Sequence, residues 1–139
     1  MSTPYRGRFA PSPTGPLHFG SLVSALASYL DARQHNGQWI IRIEDVDGTR
    51  CTPAYSQQIL TTLSSYHLES DEAIRYQSQH SDLYEHYLEQ LRQADLVFPC
   101  NCTRKDLAEH QGLHPNICPS QISQAHSWRL KTSNTLYHY

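Results

Sequence analysis

The sequence predicts an α/β fold that begins with a parallel, Rossmann-like sheet. Three features indicate this class: a short strand that runs into a Pro/Gly-rich loop, a helix that follows the loop, and a β-rich apolar segment after the helix. A strand–helix–strand order implies a right-handed crossover and a parallel strand pair. We therefore expect the loop at the carboxyl end of the first strand, which is where open α/β sheets bind ligands.

Apolar spacing and turn residues define these first elements. The strand ends at residues 8–10, and the breaker-rich loop covers residues 11–16. The helix extends from Gly20 to Gln34 and is ended by Asn36-Gly37. The second strand is Gln38–Ile43, which leads into acidic residues. Helical periodicity assigns these residues to the buried face of the helix: Leu22, Leu26, Tyr29 and Leu30.

The later elements are shorter. Thr52 and Pro53 predict a helix start that reaches about Tyr66. Ser81 predicts the start of a further helix, and residues 97–99 are predicted to be extended. A short helix capped by residues 103 and 106 is predicted to reach about residue 110. Residues 127–130 are predicted to begin a strand. The extended piece has no visible partner strand. The expected buried stripe of the second long helix is Leu83, Tyr87, Leu88 and Leu91.

Composition argues against a membrane or secreted protein and leaves nucleic-acid binding and metal binding open. The 139 residues indicate one domain or a piece of one, and the net charge of -2 gives no global basic field, so a nucleic-acid partner would need a local basic patch. There is no apolar run for a bilayer and no signal peptide, which predicts a cytoplasmic protein. Four cysteines in such a chain are poor disulfide candidates, and three of them cluster, which suggests a metal.

A nucleotide site is indicated where the loop meets the first helix. A helix N-terminus offers unpaired amide hydrogens and partial positive charge to a phosphate. His18 is positioned to donate to phosphate oxygens, and Gly20 would let a flat base approach the backbone. Taken alone, the pattern also fits an ordinary strand–helix turn that carries a surface histidine.

An amino-acid pocket is indicated by charges beside the two strand ends. Arg8 precedes the loop, and a guanidinium can hold a carboxylate through two parallel hydrogen bonds. Ser12 would add a hydroxyl, and Glu44 would neutralise an α-ammonium. On the residues alone, a structural ion pair or solvated charges is the favoured interpretation, because most charged residues are simply exposed. Asp45 and Asp47 are expected to shape the turn rather than to bind Mg²⁺.

A zinc site is indicated by Cys100 and Cys102, followed after eleven residues by His114 and after three more by Cys118. Thiolate and imidazole are the preferred ligands of tetrahedral zinc. On chemistry alone His110 and His126 compete with His114 for the fourth position. Cys51 lies far from this cluster in sequence and is expected to be an ordinary buried residue.

The segment Arg8–Ser21 (RFAPSPTGPLHFGS) resembles the "HIGH" signature of class I aminoacyl-tRNA synthetases, and most closely that of the glutamyl-Q group within the glutamyl branch. Residues 42–47 (RIEDVD) resemble the "RIEDTD" stretch of the same branch. The fourth signature position is Ser21 instead of histidine. The resemblance runs from Tyr5 to about Leu130 and implies a partial class I catalytic core with a small zinc-binding insert.

The resemblance assigns roles residue by residue. It implies L-glutamate at Arg8, Phe9, Ala10, Pro11, Ser12 and Glu44. It implies ATP, with Mg²⁺, at His18, Gly20 and Ser21, of which His18 and Ser21 are the catalytic candidates. It favours His114 as the fourth ligand of one structural Zn²⁺ with Cys100, Cys102 and Cys118, although tyrosine is usual at that position in the glutamyl-Q group.

The implied reaction is activation of glutamate and its transfer to the queuosine base of tRNA(Asp) by a monomer. The implied domains are the N-terminal half of the nucleotide-binding domain, residues 1–97, and the start of the zinc-bearing insert, residues 98–139. The family's "KMSKS" loop has no counterpart here, so we expect the chain to be a fragment or a truncated product that is inactive alone. The alternatives are a truncated glutamyl-tRNA synthetase, a non-catalytic remnant that binds glutamate, zinc or RNA, and a small-molecule nucleotidylyltransferase.

Overall fold

The computed structural model describes residues 4–108, 118 and 126–132. A 3₁₀ helix, Gln77–His80, separates the third strand from the third α-helix. The other elements are β1 (Arg6–Phe9), α1 (Phe19–Gln34), β2 (Gln38–Ile43), α2 (Pro53–Ser65), β3 (Arg75–Tyr76), α3 (Ser81–Gln93), β4 (Val97–Cys100), α4 (Arg104–Ala108) and β5 (Ser127–Leu130). The chain divides into two compact units, Met1–Ser81 and Asp82–Tyr139. No helix among the described residues is long and apolar enough to cross a membrane.

The first unit contains the predicted parallel sheet. Strands β1 and β2 pair in parallel with Gly7 opposite Trp39, and β3 pairs in parallel with the end of β2. The strand order is β1-β2-β3. The parallel pair is therefore confirmed. Strand β3 has only two residues, which is too short for an alternation of polar and apolar side chains to reveal it in the sequence.

Trp39 lies at the centre of the core of the first unit. Its side chain is fully buried, and its indole N–H donates to Ser28 Oγ at 2.9 Å. The Tyr29 ring meets it edge-on, with 5.4 Å between ring centroids. A Cβ added at Gly7 would lie 3.2 Å from Ala32 Cβ and 3.3 Å from the Trp39 ring. The missing side chain at Gly7 therefore lets β1 approach α1 closely.

Helix α1 begins one residue before the predicted start and ends at the predicted residue. Leu22 and Tyr29 pack against the core as expected. The prediction was wrong for Leu26 and Leu30, which are 47% and 55% exposed. The residues of α1 that are fully buried are small ones, Ala25 and Ala32, because the helix lies close to the sheet. The buried face is therefore rotated from the one that the larger residues suggest.

Three helices end in the same way, at a non-glycine residue with left-handed backbone. These residues are Asn36, His67 and Asp95, with φ of 50°, 57° and 55°. In each case the next N–H donates to a carbonyl five residues back, as Gly37 does to Ala32 at 2.8 Å. This pattern satisfies carbonyls at the helix end. Only the Asn36 stop carried a clear signal in the sequence.

Helix α2 confirms the predicted start. Thr52 Oγ1 accepts from the backbone N–H of Tyr55 at 3.3 Å, and Pro53 is the first helical residue. Ile59 and Leu63 are buried in the core that also contains Trp39. The helix thus joins the hydrophobic core of the sheet through one apolar face.

Helix α3 differs from the prediction in two respects. Ser81 already has helical backbone angles because the 3₁₀ helix precedes it, so it does not act as an N-cap. The predicted buried stripe is also wrong. Leu83 and Tyr87 are 49% and 56% exposed, Leu88 and Leu91 are only half-buried, and no described residue of α3 is fully buried.

Strands β4 and β5 form an antiparallel pair in the second unit. Val97 lies opposite Leu130, and Cys100 lies opposite Ser127. The expectation that the extended piece would lack a partner was wrong, because the partner lies about thirty residues away in sequence, where periodicity carries no pairing information. The short helix α4 is confirmed over Arg104–Ala108, with Thr103 and Asp106 bonded reciprocally at its start.

Asp71 links α1 to the start of β2. Its two carboxylate oxygens accept from Arg33 at 2.7 and 2.8 Å, and one of them also accepts from the backbone N–H of Trp39 at 2.6 Å. The Arg33 hydrogen bonds, followed by the Trp39 N–H, lower the pKa of Asp71 below its ordinary value. Its carboxylate therefore favours the folded state wherever it is ionised.

We expect Asp71→Asn to lower the free energy of unfolding at neutral pH by about 1 kcal/mol, because a partly exposed ion pair is lost. A lowered pKa in the folded chain stabilises it above the unfolded pKa of about 3.9 and ceases to do so as the pH falls below that value. The difference between the two proteins should therefore shrink from about pH 5 to about pH 3. Urea unfolding of both proteins at several pH values measures this difference in the free energy of unfolding.

The exposed Glu85→Gln on α3 serves as the control for loss of one carboxylate. A stability difference for Asp71→Asn that stays constant over this pH range would contradict the assignment.

Candidate functional site

The loop after β1 is held by the ends of neighbouring elements. The carbonyl of Pro11 accepts from the backbone N–H of Glu44 at 2.9 Å, just beyond β2. The carbonyl of Pro13 accepts from the N–H of Thr52 at 3.1 Å, just before α2. Both prolines are buried. The loop therefore has a fixed path at the carboxyl edge of the sheet, and it leads directly to the N-terminus of α1.

His18 is the N-cap of α1. Its Nδ1 accepts from the backbone N–H of Ser21 at 3.2 Å, and its Nε2 lies 3.1 Å from Ser21 Oγ. An accepting Nδ1 leaves the proton of a neutral ring on Nε2, which can donate to the Ser21 hydroxyl. In this conformation the imidazole is held by the helix end, and it remains exposed to solvent.

Gly20 makes room for that ring. A Cβ built at Gly20 would lie 3.2 Å from both Cε1 and Nδ1 of His18. Besides the predicted approach of a base, Gly20 therefore has a further role in accommodating the histidine ring.

A cavity of about 360 Å³ lies along this loop. Its volume falls within the range of small-molecule sites. It brings together several of the predicted residues with others that the sequence reading missed. The lining residues are Phe9, Ala10, Pro11, Ser12, Thr14, Gly15, Pro16, Leu17, His18, Ser21, Ser24 and Ile59. Ile59 belongs to α2 and was not among the site residues predicted from the sequence.

The strand register relates Arg8 to Glu44. Arg8 pairs with Ile40, and registered residues of parallel strands project from the same face. Arg42 lies two residues further along β2, on that same face, and its Nη2 donates to Glu44 Oε1. The Glu44 carboxylate is therefore on the Arg8 side of the sheet. Glu44 is half-buried and Arg8 is exposed, and neither lines the loop cavity itself.

The two aspartates after Glu44 have structural partners. Asp45 accepts from the backbone N–H and the hydroxyl of Ser78 at 2.9 and 2.7 Å. Burial alone would raise the pKa of Asp45, but these hydrogen bonds outweigh it and lower the pKa. Thr49, and next Arg50, lower the pKa of Asp47 to about 2. The contacts of Asp47 are local and agree with its interpretation as a turn-shaping residue, whereas Asp45 bonds to the 3₁₀ helix far away in sequence.

Three cysteines of the second unit converge. The sulfur atoms of Cys100, Cys102 and Cys118 all lie within 4.8 Å of one another, and those of Cys102 and Cys118 are 3.6 Å apart. Thiolates at tetrahedral corners about 2.3 Å from zinc would be about 3.8 Å apart. The donor set therefore fits a zinc ion. His114 and His110 lie outside the described residues, and His126 lines a cavity of about 330 Å³ beside Cys100 and Cys102.

Comparison with known families identifies the fold. Residues 5–134 match the model of the catalytic domain of the class I tRNA synthetases for E and Q. The chain belongs to this family. The parallel sheet, the loop after β1 and the capped start of α1 are therefore parts of a synthetase catalytic domain.

Several curated relatives are similar to this synthetase chain over almost its whole length. The glutamyl-Q tRNA(Asp) synthetase of Dechloromonas aromatica is 46% identical over 94% of the chain and 47% of that protein. The glutamyl-Q tRNA(Asp) synthetase of Burkholderia cenocepacia is 49% identical over 94% of the chain and 48% of that protein. The chain therefore spans about half the length of these relatives.

Two solved structures are also similar to this chain in fold and in sequence. A glutamate tRNA ligase from Elizabethkingia meningosepticum, crystallised with its amino acid, superimposes with a TM-score of 0.67 and 36% identity. The match covers 78% of this chain and 23% of that protein. A glutamate-tRNA synthetase from Elizabethkingia anophelis superimposes equally well, with a TM-score of 0.67.

One residue at the cysteine cluster was not predicted from the sequence. Arg129 of β5 donates from Nε to Cys100 Sγ at 3.1 Å. The backbone N–H of Cys102 also donates to this sulfur, at 3.3 Å. Arginine is not a metal ligand, so a search for ligand types passes over it. The only available signal was its position in a short strand close to the cysteines.

We expect Gly20→Ala to displace the His18 ring and to weaken its hydrogen bond with the Ser21 amide. The loss of an N-cap costs about 1 kcal/mol, and the gain in helix propensity from alanine is of similar size, so stability is a poor readout. The amide resonance of Ser21 and the ring nitrogen resonances of His18 in a ¹⁵N-labelled chain report the contact directly.

Gly15→Ala is the matched control, since a Cβ there would meet no atom within 4 Å. It should leave both sets of resonances in place. If Gly20→Ala left the Ser21 and His18 resonances unchanged as well, the steric role assigned to Gly20 would be wrong.

Proposed function

We propose that this chain supplies the glutamate- and nucleotide-binding half of an enzyme that activates L-glutamate with ATP and transfers it to the queuosine base of tRNA(Asp). The observation that carries the proposal is the cavity at the carboxyl end of β1, bounded by the capped start of α1. Arg8 and Glu44 lie outside this cavity, together on one face of the sheet beside the same loop. The identity of 46–49% with relatives named glutamyl-Q tRNA(Asp) synthetase supports this choice of substrate.

Glutamate recognition is proposed to depend on opposite charges at two strand ends. Arg8 would hold a carboxylate of the substrate through two hydrogen bonds, because its guanidinium is planar and exposed. Glu44 would receive the α-ammonium. Its carboxylate already accepts from Arg42, but two oxygens offer about four acceptor positions. Ser12 would add a hydroxyl donor, and the backbone from Phe9 to Pro11 would form the wall.

The nucleotide is proposed to lie along the loop with its phosphates at the start of α1. His18 Nε2 and the Ser21 hydroxyl are donors at that helix end, where the helix dipole also favours negative charge. Gly20 keeps the backbone accessible there. A carboxylate oxygen of glutamate would attack the α-phosphorus of ATP, a glutamyl–phosphate bond would form, and pyrophosphate would leave. His18 and Ser21 would stabilise charge on the phosphate oxygens during this step.

Mg²⁺ is proposed to arrive with ATP and to be held mainly by its phosphates. Asp45 and Asp47 are not proposed as its ligands, because their oxygens are engaged by Ser78, Thr49 and Arg50.

One zinc ion is proposed to hold the second unit together. Cys100, Cys102 and Cys118 supply three sulfur ligands within 4.8 Å of one another. We propose His114 as the fourth ligand on its spacing from Cys118, with His126 as the alternative because it lines the neighbouring cavity. Such an ion closes a loop of about nineteen residues and contributes folding energy rather than reactivity.

The partners follow from the proposed reaction. They are L-glutamate, ATP and a tRNA(Asp) that contains queuosine, and the enzyme is proposed to act as a cytoplasmic monomer. The nearest rival is a glutamyl-tRNA synthetase, which would charge tRNA(Glu) instead. It gains support from the structural neighbours, which are glutamate tRNA ligases.

The test compares this chain with a chimera that adds the remaining half of the Burkholderia cenocepacia relative. Glutamate-dependent, tRNA-independent exchange between ATP and pyrophosphate should be found for the chimera and not for the chain alone. Labelled glutamate should then appear on tRNA(Asp) with queuosine and not on the same tRNA with guanosine in its place. Labelling of tRNA(Glu) would support the rival, and exchange by the chain alone would show that the second half is dispensable.

We expect Glu44→Gln to weaken L-glutamate binding at least about tenfold, because an ammonium loses its charged partner, equivalent to about 1.4 kcal/mol. The zinc content should not change. Chemical-shift titration of the labelled chain with L-glutamate measures the affinity. Glu69→Gln, an exposed acid of the same unit, is the control, and an equal loss in both variants would disprove the pocket assignment.

Removal of one sulfur should empty the zinc site. We expect the chain to bind one equivalent of zinc and Cys118→Ser to bind none after dialysis, as elemental analysis would measure. Cys51→Ser should keep its zinc, because this cysteine contacts the carbonyl of Glu44 instead. Zinc retention in Cys118→Ser at the level of the unmodified chain would contradict the assigned ligand set.

A further inference from the structure

Arg129 reaches the cysteine cluster from the strand opposite Cys100. In the β4–β5 ladder Arg129 pairs with Phe98, and Cys100 lies two residues further along β4, so both side chains project from the same face. The Nε–H of Arg129 donates to Cys100 Sγ at 3.1 Å. Cys100 is 2% exposed and Arg129 is half-buried, so water screens this contact only in part.

Two donors converge on the same sulfur. The backbone N–H of Cys102 lies 3.3 Å from Cys100 Sγ and adds to the guanidinium contact. A neutral thiol is a weak acceptor, whereas a thiolate accepts strongly from charged donors. Two N–H groups directed at one buried sulfur therefore suit an anionic, metal-binding sulfur better than a neutral one.

The net charge of the proposed zinc site also favours a positively charged donor beside Cys100. Three thiolates and one neutral imidazole around Zn²⁺ leave one net negative charge, which is costly in a partly buried position unless a cation lies nearby. The Arg129 guanidinium supplies the compensating positive charge beside Cys100, whose sulfur is the most buried of the three.

We infer that Arg129 is a positioning residue of the zinc site, which orients Cys100 and stabilises its metal-bound thiolate through the Nε–H···Sγ hydrogen bond. This inference rests on the zinc binding proposed above. Partners around the primary ligands fix ligand orientation and tune the metal in many sites, and their loss typically weakens metal affinity 10- to 100-fold.

A second arginine of the same unit provides the matched control. The Arg92 guanidinium lies over the Trp128 ring, 4.7 Å from its centroid, and its Nη1 donates to Glu89 at 2.8 Å. Arg92 thus packs on the neighbour of Arg129, and no contact between Arg92 and a sulfur is found in the described part of the chain. Its replacement tests whether the loss of any packed guanidinium from this unit weakens metal binding.

The experiment measures zinc affinity of the full chain by competition with a chromophoric chelator, for the unmodified protein and for Arg129→Met, Arg129→Lys and Arg92→Met. Arg129→Met should bind zinc at least about tenfold more weakly. Arg129→Lys should recover part of the loss, because it keeps the positive charge but not the planar donor. Arg92→Met should stay within about twofold of the unmodified chain, a much smaller change than the loss of a ligand partner.

Cobalt substitution adds a readout that a merely structural role would not move. Removing a hydrogen bond from a thiolate makes the sulfur a better electron donor, so the sulfur-to-cobalt charge-transfer band of Arg129→Met should move to lower energy. A variant that is only destabilised would lose band intensity without a change in position. Arg92→Met should keep the unmodified band position.

The outcomes separate the two proposals. An unmodified chain that binds no zinc would refute the proposed site itself. Zinc binding by the unmodified chain, with Arg129→Met equal to it in affinity and in band position, would refute only the role of Arg129. If circular dichroism shows that Arg129→Met does not fold, Arg129→Lys decides: weaker binding with a shifted band supports the inference, and unmodified affinity and band position overturn it.

Discussion

Two backbone hydrogen bonds fix the loop on which the candidate site depends. The carbonyls of Pro11 and Pro13 accept from Glu44 and Thr52, so the loop is tied to the end of β2 and to the start of α2. Proline restricts the loop further because its φ is fixed. A ligand therefore meets a cavity wall whose path is set before binding, which reduces the ordering that binding must impose.

The start of α1 is capped by His18 and is also the proposed position of the ATP phosphates, so the cap and the proposed ligand would compete for the same atoms. His18 caps the helix by accepting from the Ser21 amide, and the same helix end is the natural place for a phosphate. In the proposed complex, a phosphate would satisfy that amide in place of the imidazole and would release the ring to act on the ligand. The serine at the fourth signature position thus has a physical role: it holds the histidine at the helix end through its amide and its hydroxyl.

In the second unit, the zinc ion proposed at the cysteine cluster would supply cohesion that apolar packing does not. Val97, Phe98 and Cys100 of β4 are buried, but no described residue of α3 is. The antiparallel ladder brings the Arg129 guanidinium to the most buried sulfur. Small units with little apolar core commonly depend on a metal for stability, and the convergence of three sulfurs is consistent with that need.

The sequence by itself determined the local features: the Thr52-Pro53 helix start, the Asn36-Gly37 stop, the β2 strand, and the motifs of the loop and the cysteines. These depend on residues close together in the chain, whose steric and hydrogen-bonding preferences act locally. Tertiary structure alone decided which helical faces are buried, the pairing of β4 with β5, the pairing of β3 with β2, and the contact of Arg129 with Cys100. The strand pairings and the arginine contact join residues far apart in sequence. The buried face of a helix depends on which neighbouring element covers it. The periodicity of a sequence carries neither kind of information. Leu26 and Leu30 have the spacing of core residues, yet the close approach of α1 to the sheet gives the buried positions to Ala25 and Ala32.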